Sequence, residues 1–410
     1  MELYYNLLNE IEYKLGESWY ILNADQFRHN FKELFNTFTN IYPDTKIAYS
    51  YKTNYIPVLC KIVNDGGGYA EVFSAMEYDL TLAIRINPTD IIVNGPYKPA
   101  KSFEKYLLNG SIVNLDSYSE YKLLRKLIRE HQDKSFNIGI RCNFELKNAQ
   151  TSRFGFDINN KSFYQMIDEL GNIKNVRFTM LHCHYPYRDL RLFDERIDKM
   201  INIYKKVLKN NNPYFIDIGG GLGGKVDEQI KQQLNYNVAD YQDYANVIAI
   251  KMRQEFEYEK NKPTLIIEPG TALVANTMQY VCKVVEIKNI RNRYIAITSG
   301  SKINYHRLST KLNLPFSVCS NNNHHQRQFY NSIDISGYTC MEDDYLYTNY
   351  RGELGIGDYL VFDNVGSYSV VYKPPFILPN VPIITLDNGS IEILKEAETF
   401  EYIFQTYHIT

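Results

Sequence analysis

From about residue 25 to 280 the chain alternates short apolar runs with helix-length amphipathic segments. That alternation admits few folds, because it is the pattern of strand–helix–strand units laid around a parallel sheet. The apolar runs are Lys46 to Tyr51, Tyr69 to Phe73, Ile91 to Asn94, Ile112 to Leu115, Phe136 to Arg141, Phe178 to His184, Tyr214 to Ile218 and Thr264 to Glu268, eight in all. Between them lie segments such as Ser119 to Glu130, where Leu123, Leu124, Leu127 and Ile128 recur at helical spacing. Eight such units in roughly 250 residues predict an α/β fold: a (β/α)8 TIM-type barrel over residues 25–280, with its chemistry at the C-terminal ends of the strands.

After residue 280 the rhythm changes to strand-like segments, Gln279 to Ile287, Tyr294 to Thr298 and Tyr359 to Phe362, separated by turn-rich stretches. Residues 281–410 are expected to form a β-sandwich or β-barrel domain. Residues 1–24 should join it through a strand at Trp19 to Leu22, ahead of a helix capped by Asn23 or Asp25.

Charge narrows the partners. Lys and Arg number 45 against 47 Asp and Glu, a net charge of -2, which gives no electrostatic footprint for nucleic acid or an anionic membrane. A small molecule is the expected partner. No apolar stretch reads as a spanning helix or signal peptide, so a cytoplasmic location is expected. The six cysteines lie far apart, without zinc-site spacing or the density of a disulfide scaffold, and should be reduced. The run Asn321 to Gln326, with His324 and His325, reads as a solvated loop, and no metal site is expected.

Lys52 follows the apolar run Ile47 to Tyr51, so a barrel would place its amine at the catalytic rim, although a lysine after a strand is ordinarily a surface residue. Residues 219–224, Gly-Gly-Gly-Leu-Gly-Gly, follow a strand and let several N–H groups approach an anion. A phosphate cradle fits that placement better than a dinucleotide fingerprint, which opens the first unit of a doubly wound sheet. Glu268 ends a buried strand and needs a partner, either a protonated ring nitrogen or an ordinary salt bridge. His182 and His184, two apart in a strand, should point to one face. No third ligand stands out nearby for zinc, so stacking or hydrogen bonding is the expected role.

With Lys52, His184, the glycine run and Glu268 in this order, the chain resembles the diaminopimelate and ornithine decarboxylases, barrel-type pyridoxal-phosphate enzymes related to alanine racemase. The likeness runs through Tyr49-Ser50-Tyr51-Lys52-Thr53-Asn54, Glu71-Val72-Phe73-Ser74, Ser152-Arg153-Phe154-Gly155, Leu181-His182-Cys183-His184, Asp217-Ile218-Gly219-Gly220-Gly221, Glu268-Pro269-Gly270, Gly337-Tyr338-Thr339-Cys340 and the stretch from Gly357 to Tyr368.

The resemblance implies roles. Lys52 would hold pyridoxal 5′-phosphate covalently, with Glu71 nearby and His184 stacked on the ring. Gly219, Gly220, Gly221 and Tyr368 would take the phosphate, Arg141 would lie near the cofactor, and Glu268 would bond the ring nitrogen. Cys340 would come from the other subunit of a homodimer and supply a proton.

Departures bear on the substrate. Glu71 stands where Asp is usual, Met341 where an acidic residue follows the cysteine, Thr271 where Arg follows Glu-Pro-Gly, and Tyr187 where Ser is usual. Arg307, Met341, Glu342 and Asp344 are the candidate substrate contacts. These changes lead to the expectation of a decarboxylase acting on an uncommon or modified amino acid. The alternatives are diaminopimelate decarboxylase proper and a non-catalytic homologue that binds the cofactor.

Overall fold

The computed structural model describes residues 3–207, 213–234, 237–305, 312–321, 327–372, 374–387 and 390–408. The chain divides into two compact units, residues 28–224 with 239–273, and residues 1–27 with 225–238 and 274–410. Strand β1 (Ser18–Leu22) belongs to the second unit. The first contains β2 (Thr45–Ser50), β3 (Tyr69–Val72), β4 (Ile91–Val93), β5 (Ile112–Leu115), β6 (Phe136–Asn143), the two-residue β7 (Phe156–Asp157), β8 (Val176–His182), β9 (Phe215–Asp217) and β10 (Thr264–Ile267).

These strands pair in parallel in the order β5-β4-β3-β2-β10-β9-β8-β6, and β6 pairs with β5 to close an eight-stranded barrel, with β7 beside β6. Closure removes every edge that eight short apolar strands would otherwise expose. Ala48, Ile92, Ile112, Met180 and Ile266 pack together as a core cluster. Gly139 of β6 carries no side chain where the Asn114 amide lies, and a Cβ there would collide with it. The helix expected from Ser119 runs from Tyr118 to Glu130, and Ser117 caps it by accepting the Glu120 N–H at 3.3 Å.

All eight expected runs form strands, with one correction at an end. Strand β8 stops at His182, so His184 does not share a strand face with it. The Cys183 N–H makes one more bond, 2.9 Å to the Asp217 carbonyl, and the chain then turns so that His184 Nδ1 meets the Gly220 N–H at 3.0 Å.

In the second unit β1 pairs antiparallel with β11 (Met278–Ile290) and parallel with β17 (Ile383–Asp387). The described strands between and beyond these are β12 (Arg293–Thr298), β13 (Phe316–Cys319), β14 (Gln328–Ser336), β15 (Tyr345–Leu354), β16 (Tyr359–Phe362) and β18 (Ser390–Lys395), which complete a mixed sheet. A helix at Tyr5–Leu15 buries Leu8 and Ile11 against Trp19, Ile21, Val281, Tyr359, Val361 and Ile384. Asn23 is the cap of the following helix, accepting the Gln26 N–H at 2.9 Å. Among the described residues no helix is long and apolar enough to cross a membrane.

Ile266 is fully buried in the barrel unit, so Ile266→Ala should cost about 2–5 kcal/mol by removing methylenes and leaving a cavity. A urea titration followed by circular dichroism should show the lowered midpoint.

Candidate active site

The register of neighbouring strands decides which side chains meet at the rim. Arg141 of β6 pairs with His182 of β8, which pairs with Asp217 of β9, so three polar residues form a row across adjacent strands. On the other side Ser50 of β2 pairs with Glu71 of β3. Lys52 sits on a single 3-10 turn, Tyr51–Thr53, directly after β2. Its Nζ lies 3.0 Å from Glu71 Oε2, 3.3 Å from Ser50 Oγ and 3.8 Å from the Phe73 ring centroid.

From Glu71 a chain of hydrogen bonds crosses the rim. Asn94 Nδ2 donates to Glu71 Oε1 at 2.9 Å and to Glu268 Oε1 at 2.6 Å, and Asn114 Nδ2 donates to Asn94 Oδ1 at 2.7 Å. His182 Nε2 is 3.4 Å from Glu268 Oε2. Ligand atoms of His182, Asp217 and Glu268 lie within 4.8 Å of one another, all buried. The expectation that His182 has no third ligand nearby is therefore corrected: residues 35 and 86 positions away in sequence arrive on adjoining strands.

Burial sorts the charges. Two carboxyls this close in a dry site cannot both ionise cheaply. Burial, and then the neighbouring Glu268, holds the Asp217 carboxyl well above its usual range, so it keeps its proton. Burial also opposes the charge on Glu268, but His182 and Lys52 outweigh it and leave this group the ionised one. Burial raises Glu71 to about 7, with Lys52 pulling the other way. Burial, and then Lys52, pushes the His184 imidazole well below its ordinary value, which makes it a flat neutral ring.

The glycine turn is tied to this group. Gly219 has φ +71° and donates its N–H to Asp217 Oδ1 at 2.8 Å, while a Cβ at Gly219 would strike the Cys183 carbonyl and one at Gly220 the Glu268 carbonyl. Gly221 lies against the Tyr185 and Tyr187 carbonyls. Arg141 is buried beside Asp116, Nη1 to Oδ2 3.4 Å, and donates to the His184 carbonyl at 3.2 Å. Arg196, on the helix Leu190–Val207, donates to the carbonyls of Ile218, Gly220 and Tyr185.

The sequence reading gave no role to Asn94, Asn114, Asp217 or Arg196. The only advance signal for Arg196 is its place on the apolar stripe of its helix, between Phe193 and Ile197.

Tyr368, Cys340, Met341, Glu342 and Asp344 belong to the second unit. Tyr368 is half-buried at φ +57°, uncommon for a bulky residue. Cys340 and Glu342 are exposed and Met341 is half-buried. Asp344 is buried, and its carboxylate accepts from Ser301 Oγ, the Lys302 N–H, the Thr339 N–H and Thr339 Oγ1 at 2.6–3.2 Å. It braces the loop that carries Cys340. Arg307 lies outside the described residues.

The rim can condense an amine with an aldehyde, offer an anion the Gly221 N–H of the glycine turn and hold a proton on a ring nitrogen against an ionised carboxylate. Pyridoxal phosphate offers all three partners on one ring, and the barrel therefore stands with the enzymes that use it. Residues 28–275 match the family profile "Pyridoxal-dependent decarboxylase, pyridoxal binding domain", and the chain belongs to that family. A diaminopimelate decarboxylase of Aquifex aeolicus is 24% identical, over 97% of this chain and 93% of its own. Ornithine decarboxylase 2 of Drosophila melanogaster is 26% identical over 61% of each. The crystal structure of the Methanocaldococcus jannaschii diaminopimelate decarboxylase has a TM-score of 0.86 at 20% identity, covering 98% of this chain and 94% of that one. The protein is a pyridoxal-phosphate-dependent amino-acid decarboxylase.

Glu71 carries a pH signature. Its pKa is raised from 4.5 to about 7 by burial, so between these values the folded chain keeps a proton that the unfolded chain releases. The stability it contributes is full below pH 4.5 and is lost as pH rises through about 7. In the cofactor-free protein Glu71→Gln should flatten the fall in unfolding free energy across that window, read from urea titrations at several pH values.

Proposed function

We propose that the protein removes CO2 from diaminopimelate and leaves lysine. The observation that carries this is coverage: the matches to relatives named diaminopimelate decarboxylase take in 85–98% of the chain, the β unit included, whereas the fly ornithine decarboxylase match stops at 61%. This outweighs the expectation of an uncommon substrate drawn from the sequence departures.

Each residue then has a task. When bound, the cofactor's conjugated ring takes up the electron pair left at the α-carbon as CO2 departs. Lys52 would hold the cofactor through its Nζ, and Glu71, 3.0 Å from that amine, would accept protons given up there. Glu268 stays ionised and holds a proton at the ring nitrogen. The neutral His184 ring would lie against the cofactor ring, and the turn Gly219 to Gly221 would take the phosphate, with the Gly221 N–H as its open donor. Arg141, held by Asp116, fixes the turn after His184. The α-carbon is protonated by Lys52 or by the partner's Cys340, which makes a homodimer the active form.

A second reading, an amino acid with an uncommon distal end, is favoured by one feature. Met341 follows Cys340 where the family carries an acid, and Asp344 is fully committed to its own loop. Glu342, exposed on that loop, is the acidic group left to meet a distal amine.

CO2 release by the cofactor-loaded chain, with meso-diaminopimelate compared against ornithine, lysine, arginine and their D-forms, separates the two. Release from diaminopimelate should exceed the others by more than roughly a hundredfold. Release from none of them, with the covalent cofactor label at Lys52 intact, would sink the first reading in favour of the second. Mixing inactive Lys52→Ala and Cys340→Ala chains should restore part of the activity through hybrid dimers. No recovery after proven chain exchange would contradict a shared site.

A further inference from the structure

The helix Leu190–Val207 buries Phe193, Ile197, Met200, Ile201 and Tyr204, and in the same face it buries Arg196, which is 0% exposed. Its guanidinium lies 4.0 Å from the Phe193 ring centroid and 5.5 Å from that of Tyr185. Nη1 donates to the carbonyls of Ile218 and Gly220 and Nη2 to that of Tyr185, each at 3.1 Å. All three acceptors are neutral, Nε is buried without a partner, and no carboxylate among the described residues forms an ion pair with this cation. The other buried arginine of the rim, Arg141, has Asp116. An arginine does not shed its charge, and a buried cation without a counter-ion is costly. The ionised Glu268 acts on it only from beyond ion-pairing distance, so the place of a close counter-ion is open to an anion from outside the chain.

The geometry says where it sits. A trans peptide points its carbonyl and its N–H in opposite directions, so the Gly220 carbonyl on Arg196 turns the Gly221 N–H away from the guanidinium. That N–H has no acceptor among the described residues, whereas those of Gly219 and Gly220 are taken by Asp217 and His184. The positive charge thus lies on one side of the turn and an available donor points out of the other.

The sequence supplies a reason for the arrangement. Thr271 stands where the resembling family carries the arginine after Glu-Pro-Gly, and Tyr187 where it carries a serine. The Tyr187 hydroxyl is engaged with the Gln150 N–H at 2.9 Å.

We propose that Arg196 is the counter-charge for the cofactor phosphate, a positioning residue that acts from behind the glycine turn and takes over from the arginine absent at position 271. This rests on the assignment of that turn to the phosphate. Arg196 aims the Gly221 N–H at the anion and sets a full positive charge beneath it, without touching the reacting atoms.

The test uses pyridoxal phosphate and pyridoxal, which share the ring and aldehyde and differ in the phosphate. Dissociation constants for both are read from the absorbance of the full-length protein's bound chromophore. In wild type, phosphate should tighten binding strongly; a wild type that does not distinguish the two ligands refutes the phosphate assignment itself. In Arg196→Gln the constant for pyridoxal phosphate should rise by roughly tenfold or more while that for pyridoxal stays put. Adding Thr271→Arg to that variant should restore the preference. An unchanged preference in Arg196→Gln, or equal losses for both ligands, overturns the role of Arg196. If the glutamine variant does not fold, Arg196→Met, which fills the same slot without charge, is read in the same way.

Discussion

The side-chain amide of Asn94 holds the rim together. It donates to Glu71 and to Glu268 at once, and the Asn114 amide fixes its orientation by donating to its oxygen. Two carboxyls sharing one neutral donor in a water-poor site are driven apart in proton affinity, and here Glu268 takes the charge while Glu71 is raised to about 7. The amine of Lys52 is thereby joined to the ionised Glu268 through Glu71 and Asn94. Remove the bridge, and two buried acids face each other with one donor fewer.

That bridge depends on barrel closure. Asn94 follows β4, Glu71 lies in β3 and Glu268 follows β10, two strands further round the ring. A flat sheet would not bring β4 and β10 side chains into contact, whereas a closed barrel turns the ends of all its strands inward. The eight strands were legible because each is a short apolar run between amphipathic helices, a signal held within about ten residues. Which polar side chains meet was not, because it depends on register between strands far apart in sequence, the Asn94 and Glu268 pair being separated by 174 residues. Lys52, His184, Glu268 and the glycines, singled out through their motifs, lie together at the rim. Asn94 and Asp217 lie within family-like stretches that point to no role for them, and Asn114 carries no local signal beyond being polar in a strand.

The second unit was legible in outline and less so in detail. The run Trp19 to Leu22 reads as a strand from its apolar composition, but its partners come from opposite parts of the unit, β11 on one side and β17 on the other. Asp344 shows a different limit. An acid four residues after Cys340 looks like a substrate ligand in sequence, yet four donors from Ser301, Lys302 and Thr339 surround it. Buried carboxylates are normally consumed by such donors, and this one gives the Cys340 loop a fixed shape.

The departures from the family pattern fall into two physical kinds. Glu71 in place of Asp adds one methylene, and the longer side chain reaches Lys52 Nζ with one oxygen and Asn94 with the other. It extends the polar chain rather than breaking it. Thr271 and Tyr187 work the other way, each giving up a group able to meet an anion: Thr271 opens a short helix, Thr271–Val274, and Tyr187 binds the Gln150 backbone. A barrel that surrenders contacts in front of its glycine turn needs positive charge elsewhere. On the apolar face of the helix Leu190–Val207, Arg196 forms no ion pair with a carboxylate among the described residues, and the Phe193 and Tyr185 rings lie against its guanidinium.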